Sequence, residues 1–269
     1  MIFTSMKNPH IREVLDLKER KERDRQGLFI IEGYRELFRA HLGKVQLKSL
    51  YICKEFFLKE NEEMLIQEFA TKGVVVYLCS PYVFEKISYR DRPDGLIGIA
   101  LQMHKGIPEL EQLLEKKKNH FLLIAEGIEK PGNLGTILRS SDAAGVDGVV
   151  ICDAATDLFN PNVVRASVGT LFTQPIFETK TEEMLTFLQQ KTISVVAATP
   201  HAKQEFTEAD LTKSVAIVVG SEQYGLSETW MNKCNIQLRI PMLGVADSLN
   251  VATATTLLLY EVIRQRRSV

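Results

Sequence analysis

The chain has 269 residues, of which 45% are hydrophobic and 25% charged, and its formal net charge is -1. This composition is typical of a globular protein with one large or two smaller domains. The balanced charge argues against a surface that is basic all over, as in proteins that coat nucleic acid, but allows a local basic patch. No apolar run approaches about 20 residues, so we expect no membrane-spanning segment.

The first residues, MIFTSMKNPHIREV, lack a positively charged start followed by an apolar core, so no secretory signal is expected. The four cysteines are scattered in or beside apolar runs, and no pair has zinc or redox spacing. Reduced, buried thiols and a cytoplasmic location are therefore expected. The five histidines are scattered as well, which gives no support for a metal site.

Residues 1–103 predict a small α/β domain, because apolar strands alternate with amphipathic helices. The strands are expected over residues 28–33, 47–52, 74–78 and 97–101, and the helices over residues 9–26, 34–42 and 60–70. Residues 104–118 begin with helix breakers and continue as a charged helix. We place a linker there, between a domain over residues 1–103 and a second domain over residues 119–269.

The second domain repeats the alternation with more strongly apolar strands. The strands are expected over residues 121–125, 148–152, 174–177, 194–199, 215–220 and 236–242, and the helices over residues 134–144, 161–169, 181–190 and 251–267. Continuous apolar strands between helices predict a parallel sheet that is covered on both faces. Ligands of such sheets bind at the carboxyl ends of the strands.

Three segments follow predicted strands of this sheet. The first, Asn133-x-Gly135-x-x-x-Arg139, offers Asn133 as a helix cap and places Arg139 about two turns into the helix. The second, Gly220-Ser221-Glu222-x-x-Gly225, combines a glycine that permits close backbone approach with a carboxylate at a strand end. Each segment alone is also consistent with an ordinary turn or helix start.

The third segment runs from Ile240-Pro241-Met242 through a short loop to Ser248-Leu249-Asn250-Val251. Ser248 or Asn250 can cap the last helix, whose first turn consists of small residues that permit a ligand to approach. Other common site patterns are missing: no G-x-G-x-x-G follows a predicted strand, no Gly-Lys-Ser/Thr follows Gly220, and no G-x-S-x-G is found.

In this order and spacing, the three segments resemble the SpoU (TrmH-type) RNA methyltransferases of the SPOUT superfamily. Residues 8–12, with the pattern Asn-Pro-x-Ile-Arg, and residues 27–33 are similar to the small substrate-binding domain of that family, which resembles ribosomal RNA-binding proteins. The resemblance implies an α/β fold with a C-terminal trefoil knot, S-adenosylmethionine as methyl donor without a metal, and a ribose 2'-hydroxyl of RNA as acceptor. It also implies a homodimer.

By the same resemblance, catalytic roles fall to Arg139, Asn133, Glu222, Ser248 and Asn250, and donor binding to Gly220, Ile240, Met242, Ser248 and Leu249. We expect Arg139 to bind the phosphate beside the acceptor and to stabilise the developing alkoxide, because a guanidinium seldom releases a proton. A role of Arg139 as general base is the alternative. Relatives often have serine where this chain has Ala252, and the alanine removes a hydroxyl contact at the start of the last helix.

The RNA is expected to be ribosomal rather than transfer RNA, because a substrate domain precedes the methyltransferase domain. Basic side chains between Lys7 and Arg25 could follow RNA phosphates, although acidic residues interleave with them as on many solvated helices. A loop over residues 89–92 offers Tyr89 for stacking on a base. The alternatives are an RNA-binding protein of this fold without catalysis and a base methyltransferase of the same superfamily.

Overall fold

The structure is a computed structural model and describes residues 2–268. In chain order, the strands are β1 (Ile2–Phe3), β2 (Leu28–Glu32), β3 (Leu47–Ile52), β4 (Val75–Cys79), β5 (Leu96–Leu101), β6 (Phe121–Glu126), β7 (Gly148–Cys152), β8 (Ile176–Thr179), β9 (Ser194–Ala198), β10 (Gln204–Glu205), β11 (Val215–Val219) and β12 (Ile236–Arg239). The helices are α1 (Pro9–Asp16), α2 (Arg20–Gln26), α3 (Tyr34–Leu42), α4 (Asn61–Thr71), α5 (Pro81–Ile87), α6 (Ile107–Leu114), α7 (Pro131–Ala144), α8 (Pro161–Ala166), α9 (Thr181–Gln190), α10 (Glu228–Lys233) and α11 (Val251–Arg267).

The chain forms two compact units. The first contains the chain up to Met103 together with Asp157–Thr173, and the second contains His104–Thr156 together with the chain from Gln174 onward. The division differs from the predicted one, since α8 lies in the first unit and the expected linker contributes α6 to the second. The domains proposed over residues 1–103 and 119–269, with a linker between them, stay a prediction.

The first unit is built on a mixed five-stranded sheet with the order β1-β4-β3-β5-β2. Strand β5 runs antiparallel to both β2 and β3, whereas β3 and β4 are parallel. Every residue of β2 is buried, and the ring of Phe29 lies 4.7 Å from that of Phe159, beside α8. The small α/β architecture predicted for the N-terminal part is therefore present.

The single charged helix predicted over residues 9–26 is wrong, because the chain forms two helices there. The Arg23 guanidinium turns inward and donates to the carbonyl oxygens of Leu17 and Lys18 at 2.9 and 2.7 Å, where α1 has ended. It also pairs with Asp157 at 2.7 Å. Carbonyl groups that a continuous helix would use internally thus gain a buried partner, which favours the break.

The second unit is built on a seven-stranded sheet with the order β10-β12-β9-β11-β6-β7-β8. All of its pairings are parallel, as predicted. Strands β6, β7 and β11 are buried along their whole length, as expected for a sheet with helices on both faces. The C-terminal knot stays a prediction.

Three details of the second unit differ from the predicted elements. Strand β12 ends at Arg239, so Ile240 and Met242 belong to the following loop. Helix α10 was not predicted; it is short, and it places the fully buried Trp230 in the core. Near the C-terminal end of α11, Arg266 donates to the carbonyl oxygens of His120 and Lys213 at 2.8 and 2.6 Å, a tie to the segments before β6 and β11 that the sequence does not predict.

No helix within residues 2–268 combines the length and the apolar character needed to cross a membrane.

Candidate functional site

The first two motifs begin side by side at one edge of the second unit. Strands β6 and β11 are parallel neighbours in which Ala125 pairs with Val219. Both strands therefore end at the same level, and the loops that follow them leave the sheet together. This is the carboxyl edge at which ligands of open parallel sheets bind.

Glu222, in the loop after β11, turns its carboxylate toward the loop after β6. It accepts hydrogen bonds from the backbone N–H groups of Glu129 and Lys130 at 3.2 and 3.4 Å. The side-chain amide of Asn133 donates a third, at 2.5 Å. Burial alone would raise the pKa of Glu222, but these hydrogen bonds hold the pKa below its ordinary value, so the carboxylate is ionised at neutral pH.

Asn133 links this carboxylate to the third motif. Its side-chain oxygen accepts a hydrogen bond of 3.1 Å from the amide of Asn250. Asn133 was expected to cap the helix, but α7 begins at Pro131 and Lys130 occupies the cap position. Freed from capping, the Asn133 amide joins the first motif to the second through Glu222 and to the third through Asn250.

Gly220 is required by a close approach within its own loop. A Cβ at this position would lie 2.2 Å from the carbonyl carbon and oxygen of Gly225. The two ends of the loop lie side by side because Ser221 and Gly225 exchange backbone hydrogen bonds of 3.0 and 3.1 Å. A side chain at position 220 would force the loop open, so glycine fixes its shape.

Asn250 also starts the last helix. Of the two expected caps it is the one used, and its side-chain oxygen accepts the backbone N–H of Ala252 at 3.0 Å. Ala252 itself is buried and does not line the cavity described below. Position 252, where the resemblance leads us to expect serine, therefore contributes no surface to the cavity.

The second and third motifs line a cavity of about 640 Å³, and Lys130, just before the first motif, lines it as well. This volume lies within the range of about 300–1,000 Å³ that is common for small-molecule sites. The predicted residues that line it are Gly220, Glu222, Ile240, Met242, Ser248, Leu249 and Asn250. The wall combines apolar side chains with backbone groups of the loop over residues 220–226, a surface suited to an uncharged ring with polar edges.

Sequence reasoning missed one wall of this cavity. Thr199, Pro200 and His201, in the loop after β9, line it, and so does Lys130. Because β9 pairs with β11, its end lies at the same edge of the sheet. The position of residues 199–201 at the carboxyl end of a predicted strand was the available signal, but these residues carry no recognisable motif.

Arg139 lies outside the cavity lining. It sits two turns into α7, as predicted, with its side chain exposed, and it has no hydrogen bond or ion pair within residues 2–268. The next residue, Ser140, shares a hydrogen bond of 2.7 Å with Thr256 of α11. Helices α7 and α11 are thereby tied together, and Arg139 is presented to solvent from a fixed helix.

Two residues considered as RNA contacts serve the interior of the first unit instead. Arg23 is buried and paired with Asp157, as described above. Arg90 donates to the Glu32 carbonyl oxygen and pairs with Glu36, both at 2.9 Å. The buried Arg23 guanidinium is not available to phosphate, so the expectation for this residue is wrong, whereas contact of the loop over residues 89–92 with RNA stays a prediction. Within residues 2–268, no three or more His, Cys, Asp or Glu side chains are grouped to hold a metal ion.

Comparison with known proteins agrees with this geometry. The model of the SpoU rRNA Methylase family matches residues 120–260, which include all three motifs. The chain belongs to this family. The model of an MRM3-like substrate binding domain matches residues 8–98, within the first unit. The resemblance stated from the sequence is confirmed.

Other members of the SpoU family are similar over nearly the whole chain. The 23S rRNA (guanosine(2553)-2'-O)-methyltransferase RlmP of Bacillus subtilis is 30% identical over 95% of this chain and 96% of its own. A solved RNA 2'-O ribose methyltransferase is 39% identical, with a TM-score of 0.82 over 99% of this chain and 100% of that one. An AdoMet-bound rRNA methyltransferase from Sinorhizobium meliloti is 29% identical, with a TM-score of 0.87 over 98% and 97%.

Proposed function

We propose that this protein transfers a methyl group from S-adenosylmethionine to the 2'-hydroxyl of a ribose in ribosomal RNA. The observation that carries the proposal is the hydrogen-bonded chain from Glu222 through Asn133 to Asn250, which joins all three family motifs beside one cavity. The relatives support the substrate, since the B. subtilis protein is named for 23S rRNA 2'-O-methylation and the S. meliloti structure holds AdoMet.

The cavity fits the proposed donor. Its volume of about 640 Å³ suits a nucleoside-sized ligand, and Ile240, Met242 and Leu249 offer apolar contact to the adenine ring. Backbone groups around Gly220 and the side chain of Ser248 supply polar contacts. The methyl group of the donor is bonded to a positively charged sulfonium sulfur, which becomes an uncharged thioether when the methyl group is transferred. Because the donor is already activated in this way, the protein mainly has to align donor and acceptor.

We assign binding of the acceptor RNA to Arg139. Its exposed guanidinium is unpaired within residues 2–268, so it can form a bidentate contact with an RNA phosphate without breaking another interaction. The positive charge also stabilises the alkoxide that develops as the 2'-hydroxyl attacks the methyl group and releases its proton to solvent water. A guanidinium keeps its own proton at neutral pH, which favours this role over that of a general base.

The roles of Asn133, Glu222 and Asn250 follow from their contacts. Glu222 accepts three hydrogen bonds and thereby holds the loop after β6. Asn133 accepts a hydrogen bond from Asn250, and Asn250 caps α11, so the position of the loop is linked to the start of that helix. We assign these three residues to orientation of the ribose and of the cavity walls, which is a contribution to alignment rather than to bond making.

A homodimer in the cytoplasm is the assembly we propose. The second unit exposes large apolar side chains on and before α11. They are Leu243, Val245, Leu249, Leu257 and Tyr260. Apolar side chains gathered on one segment are typical of an interaction surface, and a second copy of the chain would cover them. Sedimentation of the purified protein at the monomer mass would contradict this assembly.

The test of the proposed function is methyl transfer in vitro. Purified protein is incubated with ribosomal RNA and S-adenosylmethionine that carries a labelled methyl group, and the RNA is then digested to nucleosides. We expect the label on a ribose 2'-oxygen. Label on a base would indicate a base methyltransferase, and binding of RNA without donor affinity in calorimetry would indicate a binding protein without catalysis.

A further inference from the structure

A second glutamate, Glu126, also holds the loops at this edge of the sheet and is not part of the three motifs. It is the last residue of β6 and is only 8% exposed. Its Oε2 accepts the backbone N–H of Ser227 at 2.8 Å. Ser227 follows directly on the cavity-lining loop over residues 221–226, so Glu126 holds the end of that loop.

The two glutamates form a reciprocal clasp. Glu222 reaches from the loop after β11 and binds backbone N–H groups of the loop after β6. Glu126 reaches from the end of β6 and binds a backbone N–H group of the loop after β11. Each loop is therefore held by a glutamate from the neighbouring strand or from the loop that follows that strand, and movement of either loop breaks these hydrogen bonds.

The second oxygen of the Glu126 carboxylate is held by a buried hydrogen-bond network. The hydroxyl of Thr181 donates to its Oε1 at 3.2 Å, and the indole N–H of Trp230 donates to that hydroxyl at 3.1 Å. Trp230 is fully buried in α10, which begins just after Ser227. The end of the loop is thus bound to a rigid, buried network, and the carboxylate has no freedom to turn toward the cavity.

We propose that Glu126 is a positioning residue that keeps the wall over residues 221–226 in the shape that binds the methyl donor. This inference rests on the proposed function. Without the carboxylate, the Ser227 N–H loses its partner and the loop samples other conformations. The donor then has to order the loop when it binds, which weakens its affinity roughly tenfold. The methyl-transfer step itself changes little, because Glu126 touches neither reactant.

The test compares Glu126→Ala with a matched control at the other end of the same strand. Asp147 is also buried and accepts the backbone N–H of Phe121 at 2.8 Å, at the start of β6 and away from the cavity. Asp147→Ala removes a comparable carboxylate, so it reports general destabilisation. Glu126→Gln keeps an oxygen for the Ser227 N–H and is the conservative variant.

We expect calorimetry with S-adenosylmethionine to give about tenfold weaker binding for Glu126→Ala, near wild-type binding for Asp147→Ala and substantial rescue in Glu126→Gln. The KM for the donor should rise while kcat stays within about twofold. Equal donor affinity in Glu126→Ala and wild type would overturn the inference, and so would an equal loss in Asp147→Ala. If Glu126→Ala fails to fold, Thr181→Val carries the test and should weaken donor binding to a smaller extent.

Amide hydrogen exchange separates this inference from the proposed function. In the ligand-free protein, the Ser227 amide should exchange faster in Glu126→Ala than in wild type, whatever the ligand is. A wild-type protein that does not bind S-adenosylmethionine contradicts the proposed function. Unchanged exchange at Ser227 contradicts the clasp.

Discussion

The side-chain amide of Asn133 donates to Glu222 at 2.5 Å while its oxygen accepts from Asn250 at 3.1 Å. A primary amide is suited to this position because it offers a donor and an acceptor on one planar group. Asn133 is thereby bound to two segments that lie far from it in the chain and follow different strands. Its replacement should affect the whole site, although it does not line the cavity.

Asn133→Asp tests this relationship. The substitution keeps the shape but places a carboxylate against the Glu222 carboxylate, and it removes the donor that Glu222 uses. We expect methyl transfer to fall about a hundredfold through misalignment. The measurement is kcat/KM on ribosomal RNA, and Thr136→Ala, an exposed position on the same helix, is the control. Equal activity of both variants would contradict the role given to Asn133.

Gly220→Ala should impair donor binding. The new Cβ would lie 2.2 Å from the backbone of Gly225, so the loop has to shift. We expect the affinity for S-adenosylmethionine to fall at least about tenfold, because the cavity wall moves. Gly132→Ala is the matched control, since a Cβ there has nothing within 4 Å. Calorimetry on the two variants measures the difference, and normal affinity in Gly220→Ala would refute the close-packing argument.

The stability of the second unit should depend on the ionisation of Glu222. Burial opposes its charge, but the hydrogen bonds from Asn133 and the backbone hold its folded-state pKa below the ordinary value of 4.5. The carboxylate therefore stabilises the folded protein above that value, and this contribution is lost as the pH falls through the lowered pKa. In Glu222→Gln the contribution is absent at every pH.

Thermal unfolding of wild type and Glu222→Gln between about pH 7 and pH 3 measures this contribution. The wild-type protein should melt at a higher temperature at pH 7, and the two melting temperatures should converge toward the acid end. A difference that stays constant, or that widens toward acid, would show that ionised Glu222 does not stabilise the fold.

Arg139→Ala should separate catalysis from donor binding. Arg139 lies outside the cavity lining, so S-adenosylmethionine should bind with nearly unchanged affinity. Loss of the charge at the acceptor should lower kcat/KM about a hundred- to a thousandfold. Arg139→Lys should recover part of the rate, because it keeps the charge but not the planar pair of donors. Wild-type turnover in Arg139→Ala would refute the assignment.

The positions of many strands and helices along the chain, and the family, could be predicted because the signal is local. The strand at Gly148–Cys152 and the helices at Tyr34–Leu42, Thr181–Gln190 and Val251–Arg267 agree with the predicted bounds. Buried parallel strands are continuous apolar runs, and the last helix has both an apolar stripe and a capping residue. These features are set by residues within one element, so no tertiary information is needed.

The predictions failed for residues whose structural role depends on partners that are distant in the sequence. Arg23 resembles one more charged residue on a solvated helix. Its guanidinium is instead buried against Asp157, 134 residues away, and donates to the carbonyl groups at which the predicted helix breaks. The same holds for Asn133, which resembles a helix cap locally and is instead committed to Glu222 and Asn250. Glu126 carries no motif at all, since its importance depends on the position of Ser227 in three dimensions.

Mapping of 2'-O-methylated riboses in total RNA, with and without the gene, tests the central claim most directly. The account predicts that a ribose in ribosomal RNA loses its 2'-O-methyl group when the gene is deleted. It also predicts that the wild-type gene restores this group and that Arg139→Ala does not. An unchanged ribose methylation pattern in the deletion strain, or a lost methyl group that sits on a base, would contradict it.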